Sequence, residues 1–264
     1  MKMIRNPEQE FYQKVLGALN ESSIDYLVGG GFAFQEYTGN RRTTKDCDIF
    51  VRQDDCGRVL DLFATGPYAS DLTFPHWLAK ITHEDFTIDV IFNSGNGTGA
   101  VDDEWFTHAV NAEVLGIPVK LVPPEEMIQS KGYIMERERY DGADIAHLIA
   151  ALGETLDWER VMRRMEPHWE VLFSHIVLFS FVYPTERDKV PFWVCQELQG
   201  RFSMIMTETS SGERICNGTF LSRKEYLTDT LERGYKDGRL VNPPSMSLED
   251  IRRWTEAIDA QPGH

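Results

Sequence analysis

Two adjacent prolines, Pro123-Pro124, constrain this chain more than any other feature. Proline donates no backbone hydrogen bond and fixes φ, so a strand that reaches such a pair ends there. A proline in the first turn of a helix is well tolerated. Before the pair, short apolar alternations are interleaved with amphipathic segments; after it, the apolar spacing is helical throughout. The expectation is an α+β protein in two parts: a mixed β-sheet with flanking helices over residues 1–123, and an α-helical C-terminal domain over residues 124–264.

In the first part, Phe11, Val15, Leu16 and Leu19 sit at helical spacing, and Ile24 to Val28 reads as a strand running into Gly29-Gly30-Gly31. A helix is expected over Phe32–Tyr37, a strand over Asp46–Val51 and a helix over Cys56–Ala64. Strands are expected over Leu78–Thr82 and Phe86–Phe92, a short helix over Trp105–Ala109, and a hairpin-like strand region over Val114–Val122. In the second part the pattern predicts helices over Glu125–Glu138, Ala143–Leu152, Asp157–Met165, Trp169–Phe181, Val194–Met204, Arg223–Arg233 and Ser247–Ala260. The aromatics of residues 151–195 are expected to be core. Arg160, Arg163 and Arg164 are expected to form a solvated basic face paired with acids.

Charge narrows the partners. The 264 residues carry 27 Lys plus Arg against 42 Asp plus Glu, a formal charge of −15. Ten basic and 18 acidic residues precede Pro124, and 17 and 24 follow, so the excess is spread over both parts. Such a surface repels phosphate backbones and anionic membranes, which disfavours nucleic acid and suits a neutral or cationic small molecule. Cys47, Cys56, Cys195 and Cys216 form no CxxC pair and no disulfide framework. With no apolar leader and no span of about 20 apolar residues, a reduced, cytoplasmic location without membrane contact is expected. The histidines show no HExxH spacing, with His168 and His175 expected in a core or interface role. There is no GxSxG elbow and no P-loop.

Chemistry concentrates in four places. Gly29-Gly30-Gly31 lies at a strand-to-helix turn, where backbone N–H groups can approach a phosphate; a plain tight turn fits equally. In Asp46-Cys47-Asp48, residues two apart share a strand face. Carboxylates that close repel unless a cation lies between them, and Mg²⁺ is the natural guest; alone, the pair also reads as an ordinary solvated surface feature. In Phe86-Thr87-Ile88-Asp89-Val90-Ile91-Phe92 a carboxylate interrupts an apolar strand and needs a partner or a task, or else faces solvent at a sheet edge. A helix from Pro124 carries Lys131 and is followed by Asp141 and Asp144, whose simplest reading is local pairing, for example Arg137 with Asp141. The loop Ser94–Gly99 reads chiefly as a flexible rim beside Asp89.

Together these features resemble the nucleotidyltransferase superfamily of the DNA polymerase β type. The matching residues are Gly29-Gly30, the run Arg42-x-Thr44-x-Asp46-x-Asp48, Asp89, Pro124-Glu125-Glu126-x-Ile128-x-x-Lys131, and Arg137-x-Arg139-Tyr140-x-Gly142-x-Asp144. The resemblance spans residues 24–150 and is to the minimal bacterial, antibiotic-adenylyltransferase and abortive-infection-toxin branch. It implies a catalytic domain over residues 1–123, with Asp46 and Asp48 holding Mg²⁺ and Asp89 as third carboxylate, metal ligand or proton acceptor. It also implies that Gly29, Gly30, Arg42, Thr44 and Lys131 contact the NTP. The implied reaction moves NMP from an NTP such as ATP to a hydroxyl, most simply on a small molecule, with release of pyrophosphate. The alternatives are a toxin-type enzyme acting on tRNA or protein, with a cognate antitoxin, and a nucleotide-binding module without turnover.

Overall fold

The computed structural model describes residues 6–41, 46–208, 212–241 and 243–259. The chain forms two compact units, Met1–Pro123 and Pro124–His264.

In the first unit, α1 (Pro7–Glu21) starts from Asn6, whose side-chain oxygen accepts from the N–H groups of Glu8 and Gln9 at 3.1 and 3.4 Å. Pro7 takes the first helical position, where a missing N–H costs nothing. The helix buries Phe11, Tyr12, Val15, Leu16 and Leu19. There follow β1 (Leu27–Val28), α2 (Gly30–Thr38), β2 (Cys47–Phe50) and α3 (Gln53–Phe63). Next come β3 (Ala69–Phe74), β4 (Leu78–His83), β5 (Phe86–Ile91), α4 (Asp103–Thr107), β6 (Val110–Val114) and β7 (Ile117–Leu121).

The seven strands form one mixed sheet in the order β3-β4-β5-β2-β1-β7-β6. β2 runs parallel to β5 and β1 parallel to β7, while the other neighbours are antiparallel. β6 and β7 are joined through Leu115 and Gly116, at φ 53° and 80°. Two successive positive-φ residues make the tight turn whose twist suits a hairpin. β3 is a strand that alternation alone does not reveal: it is the sheet edge, and none of its residues is buried. The strand expected from Asp46 starts one residue later, and Asp46 stands in exposed coil ahead of it.

The second unit contains α5 (Pro124–Gly132), α6 (Gly142–Leu152), α7 (Trp158–Arg164), α8 (Trp169–Val182), α9 (Phe192–Ile205), α10 (Leu227–Leu231) and α11 (Leu248–Asp259). β8 (Ile215–Cys216) and β9 (Lys236–Asp237) add a small parallel pair among the helices. α5 stops six residues before the expected end. The chain there turns into a loop closed by a Met135–Tyr140 bridge and by Asp141 N–H donating to Ile134 O at 3.1 Å. α10 is likewise shorter than the spacing of Arg223–Arg233 suggests. The aromatic segment is core only in part: Trp158, Trp169 and Phe179 are buried, whereas Phe181 and Trp193 are exposed.

His168 and His175 do serve the interior of this unit. His175 is buried and shares a 2.8 Å hydrogen bond between Nε2 and Gly132 O. His168 Nδ1 meets the Tyr133 hydroxyl at 3.1 Å. Burial pushes both imidazoles below the usual histidine range, and at His175 the Gly132 carbonyl opposes the shift. A base whose folded pKa is depressed binds its proton first in the unfolded chain. Stability is therefore expected to be full above about pH 6.5 and to fall as the pH drops below it. Denaturant melts at pH 7.5 and 5.5 check this; His175→Gln is expected to flatten the dependence.

Candidate functional site

β2 leaves two residues for one sheet face and two for the other. Cys47 and Ile49 are fully buried, while Asp48 is half-buried on the opposite face. In β5, Ile88 and Val90 are buried on the Cys47 side, and Asp89 shares the Asp48 side. The parallel pairing sets Asp48 directly opposite Asp89. Side chains of register partners on adjacent strands share a face, with backbones about 4.8 Å apart, so two carboxylates of distant sequence become neighbours. β5 lies inside the sheet, so Asp89 is not an edge residue turned to solvent. Burial first, and then the charges of Asp48, Asp89 and Asp46, push the Cys47 thiol well above its usual range.

The glycine turn closes against the pair. The Gly29 N–H donates to the Asp48 carbonyl at 2.9 Å, which ties the β1 end to β2. A Cβ on Gly29 would lie 2.3 Å from the Phe50 ring, so this glycine makes room for Phe50. Phe50 in turn stacks on Trp105 at 5.5 Å between centroids. Gly30 opens α2 at φ 53°, and a Cβ there would lie 1.6 Å from Asp48 Oδ2. Only a residue without a side chain brings the helix start so close to that carboxylate. The first-turn N–H groups of α2 have no intrahelical acceptor and face an anion favourably. Gly30→Ala is expected to reduce stability by about 1–3 kcal/mol through the strained φ alone, and to displace Asp48 further. Comparing its melting temperature with that of Gly31→Ala tests the assignment.

A third side chain completes the arrangement, and residue-by-residue reading missed it. Lys80 of β4 is the register partner of Asp89. Its Nζ donates to Asp89 Oδ1 at 2.8 Å. Lys80 belongs to an ordinary alternating strand, and only the pairing of β4 with β5 shows what it faces.

Not every expected residue gathers here. Arg42 and Thr44 lie outside the described residues. Lys131, in the second unit, sits between Asp141 and Asp144 at 3.0 and 2.8 Å. The partners of Asp141 are Lys131 and Arg139, where Arg137 was the expected one. The Ser94–Gly99 loop is knitted by its own side chains: Asn96 is buried and accepts from Ser94 Oγ and from the Thr98 N–H and hydroxyl at 2.7, 3.2 and 2.8 Å. That internal bonding makes it a built loop and not a flexible rim.

Among the described residues no group of three or more His, Cys, Asp or Glu side chains is arranged to hold a metal ion. Mg²⁺ commonly takes only one or two carboxylates from a protein, the rest coming from phosphate and water. The Asp48–Asp89 pair fits that donor set, with hard carboxylate oxygens and the start of α2 beside it.

The mixed sheet thus seats two carboxylates beside a glycine turn, as the resemblance to nucleotidyltransferases implies. The model of the family "Nucleotidyl transferase of unknown function (DUF2204)" matches residues 8–176, well over half the chain. The chain belongs to this family, and its resemblance to the nucleotidyltransferase superfamily holds. No curated protein matches the chain. Among solved structures it is similar to the antibiotic-resistance factor ANT(2″)-Ia, at 17% identity over 64% of this chain and 96% of that one, with a TM-score of 0.45. It is similar to the lincosamide antibiotic adenylyltransferase LnuA, solved with lincomycin, at 18% identity over 54% and 96%, TM-score 0.39. An antigenic nucleotidyltransferase-like protein from Paracoccidioides brasiliensis gives 15% identity over 70% and 92%, TM-score 0.42. Among the described residues no helix is long and apolar enough to cross a membrane.

Proposed function

We propose that the chain is a Mg²⁺-dependent cytoplasmic nucleotidyltransferase that moves NMP from an NTP to the hydroxyl of a small, neutral or cationic acceptor. The observation that carries the reading is the pairing of Asp48 with Asp89 beside the Gly30 turn. Asp48 and Asp89, with Asp46 ahead of the strand, would hold Mg²⁺, which when bound neutralises triphosphate charge and steadies the attacking and leaving oxygens. The N–H groups at the start of α2 receive phosphate oxygens. The acceptor oxygen attacks the α-phosphorus, the bond to the bridging oxygen breaks, and pyrophosphate leaves. Asp89 accepts the hydroxyl proton. Arg42 and Thr44 complete the reading as candidate nucleotide contacts. The net charge of −15 supports a small acceptor over RNA.

The test incubates the protein with each α-labelled NTP, Mg²⁺ and a panel of hydroxylated acceptors, among them polyamino sugars and total tRNA. Label transfer to a small acceptor with pyrophosphate release, lost in Asp48→Asn, supports the reading. Transfer to tRNA alone overturns its acceptor. Nucleotide binding without any transfer overturns its catalysis.

A further inference from the structure

Lys80 stands in a row of charge that crosses four strands. Asp71 of β3 is its register partner on one side, and Asp89 of β5 on the other, with Asp48 of β2 next to Asp89. The row therefore reads Asp71, Lys80, Asp89, Asp48, on one face of the sheet. The ammonium lies on Asp89, at 2.8 Å. Asp71 is exposed, at the sheet edge, and accepts from the Thr73 hydroxyl at 3.0 Å. Lysine is a point charge on a flexible four-carbon stem, and strands about 4.8 Å apart put both carboxylates within its reach.

We propose that Lys80 is a two-position counter-cation of this site. On Asp89 it supplies the positive charge that two neighbouring carboxylates require. When a divalent cation takes Asp89, Lys80 moves one strand outward to Asp71. The inference rests on the Asp48–Asp89 pair being a metal site, as proposed above. Its consequence is that the bare site resists free divalent cations. Metal together with a nucleotide gains phosphate ligands and displaces the lysine readily, so cation and nucleotide bind in concert. Lys80 is a positioning residue in this account, since it acts through Asp89.

The experiment titrates Mn²⁺ into the full-length protein, following free Mn²⁺ by electron paramagnetic resonance, with and without a nonhydrolysable ATP analogue. Removing a charge a few ångströms from the ligands, after allowing for solvent screening, is expected to change affinity about tenfold. Lys80→Met should bind Mn²⁺ about tenfold more tightly than the native protein without nucleotide, and gain correspondingly less when nucleotide is added. Asp71→Asn should weaken Mn²⁺ binding in the native background and change nothing in Lys80→Met. Thermal melts confirm that each variant is folded. Unchanged or weaker Mn²⁺ binding by folded Lys80→Met overturns the inference, as does an undiminished Asp71→Asn effect in its background. Absence of Mn²⁺ binding by every form, with or without nucleotide, overturns the metal-site reading itself. These two failures are distinct.

Discussion

Asp48→Asn is expected to lower nucleotidyl transfer about 10³-fold, the scale on which a metal ligand or a dedicated charge-stabilising group contributes. The substitution keeps size and shape and removes one charge. The main-chain anchors of the site are untouched, because Gly29 bonds the carbonyl of residue 48 and the strand pairing runs through backbone groups. Two carboxylates on adjacent strands repel, so the variant's melting temperature is expected to equal or exceed that of the native protein. The combination separates function from folding: a site residue under electrostatic strain gives lost activity with kept or gained stability, whereas a structural residue gives loss of both. Initial rates with the best α-labelled NTP, set against a thermal melt of the same preparation, check it. Asp89→Asn removes the proton acceptor as well as a ligand. Its residual rate should therefore fall below that of Asp48→Asn.

The alternation of Asp46-Cys47-Asp48 and of Thr87-Ile88-Asp89 was legible because period-two burial is a local property. Cys47, Ile49, Ile88 and Val90 go inside, and the carboxylates are left on the other face. What brings Asp48 to Asp89 is register between strands about 40 residues apart, which local pattern does not encode. Lys80 was invisible for the same reason. The edge strand β3 escaped because neither of its faces is consistently buried. Helix ends were least legible: nothing in the spacing of Glu125–Glu138 announces the Met135–Tyr140 bridge that ends α5 early. Arg160 is the clearest reversal. It was expected on a solvated face and is 4% exposed, although its pairing with acids is as expected. The pair Glu125-Glu126 directly ahead of Met127 and Ile128 was the available signal, since buried acids require a buried base.

That reversal yields the largest stability effect. Glu126 is 0% exposed, and its Oε1 meets Arg164 Nε at 3.0 Å and Arg160 Nε at 3.5 Å. Glu125 is also buried; Oε1 accepts from the Asp157 N–H at 2.9 Å and Oε2 pairs with Arg160. Among the described residues Glu126 Oε2 has no hydrogen-bond partner, so this acid depends on nearby positive charge. Burial holds the Glu126 carboxyl above the usual range even with Arg160 and Arg164 opposing. Arg160→Met keeps the apolar bulk, leaves Glu125 without its ion-pair partner and leaves Glu126 with Arg164 alone, which is expected to cost about 3–5 kcal/mol. With less opposing charge, the Glu126 pKa rises further in the folded state than in the unfolded chain. A raised carboxyl destabilises above the unfolded pKa, and the penalty shrinks as the pH falls toward the folded value. The deficit should therefore be larger at pH 7.5 than at pH 5. Adding Glu125→Gln and Glu126→Gln to Arg160→Met should restore most of the loss at pH 7.5, because neutral amides leave no buried charge to compensate. Denaturant melts of the single and triple variants at both pH values check this, and a deficit that ignores pH and resists the amides would assign Arg160 a packing role only.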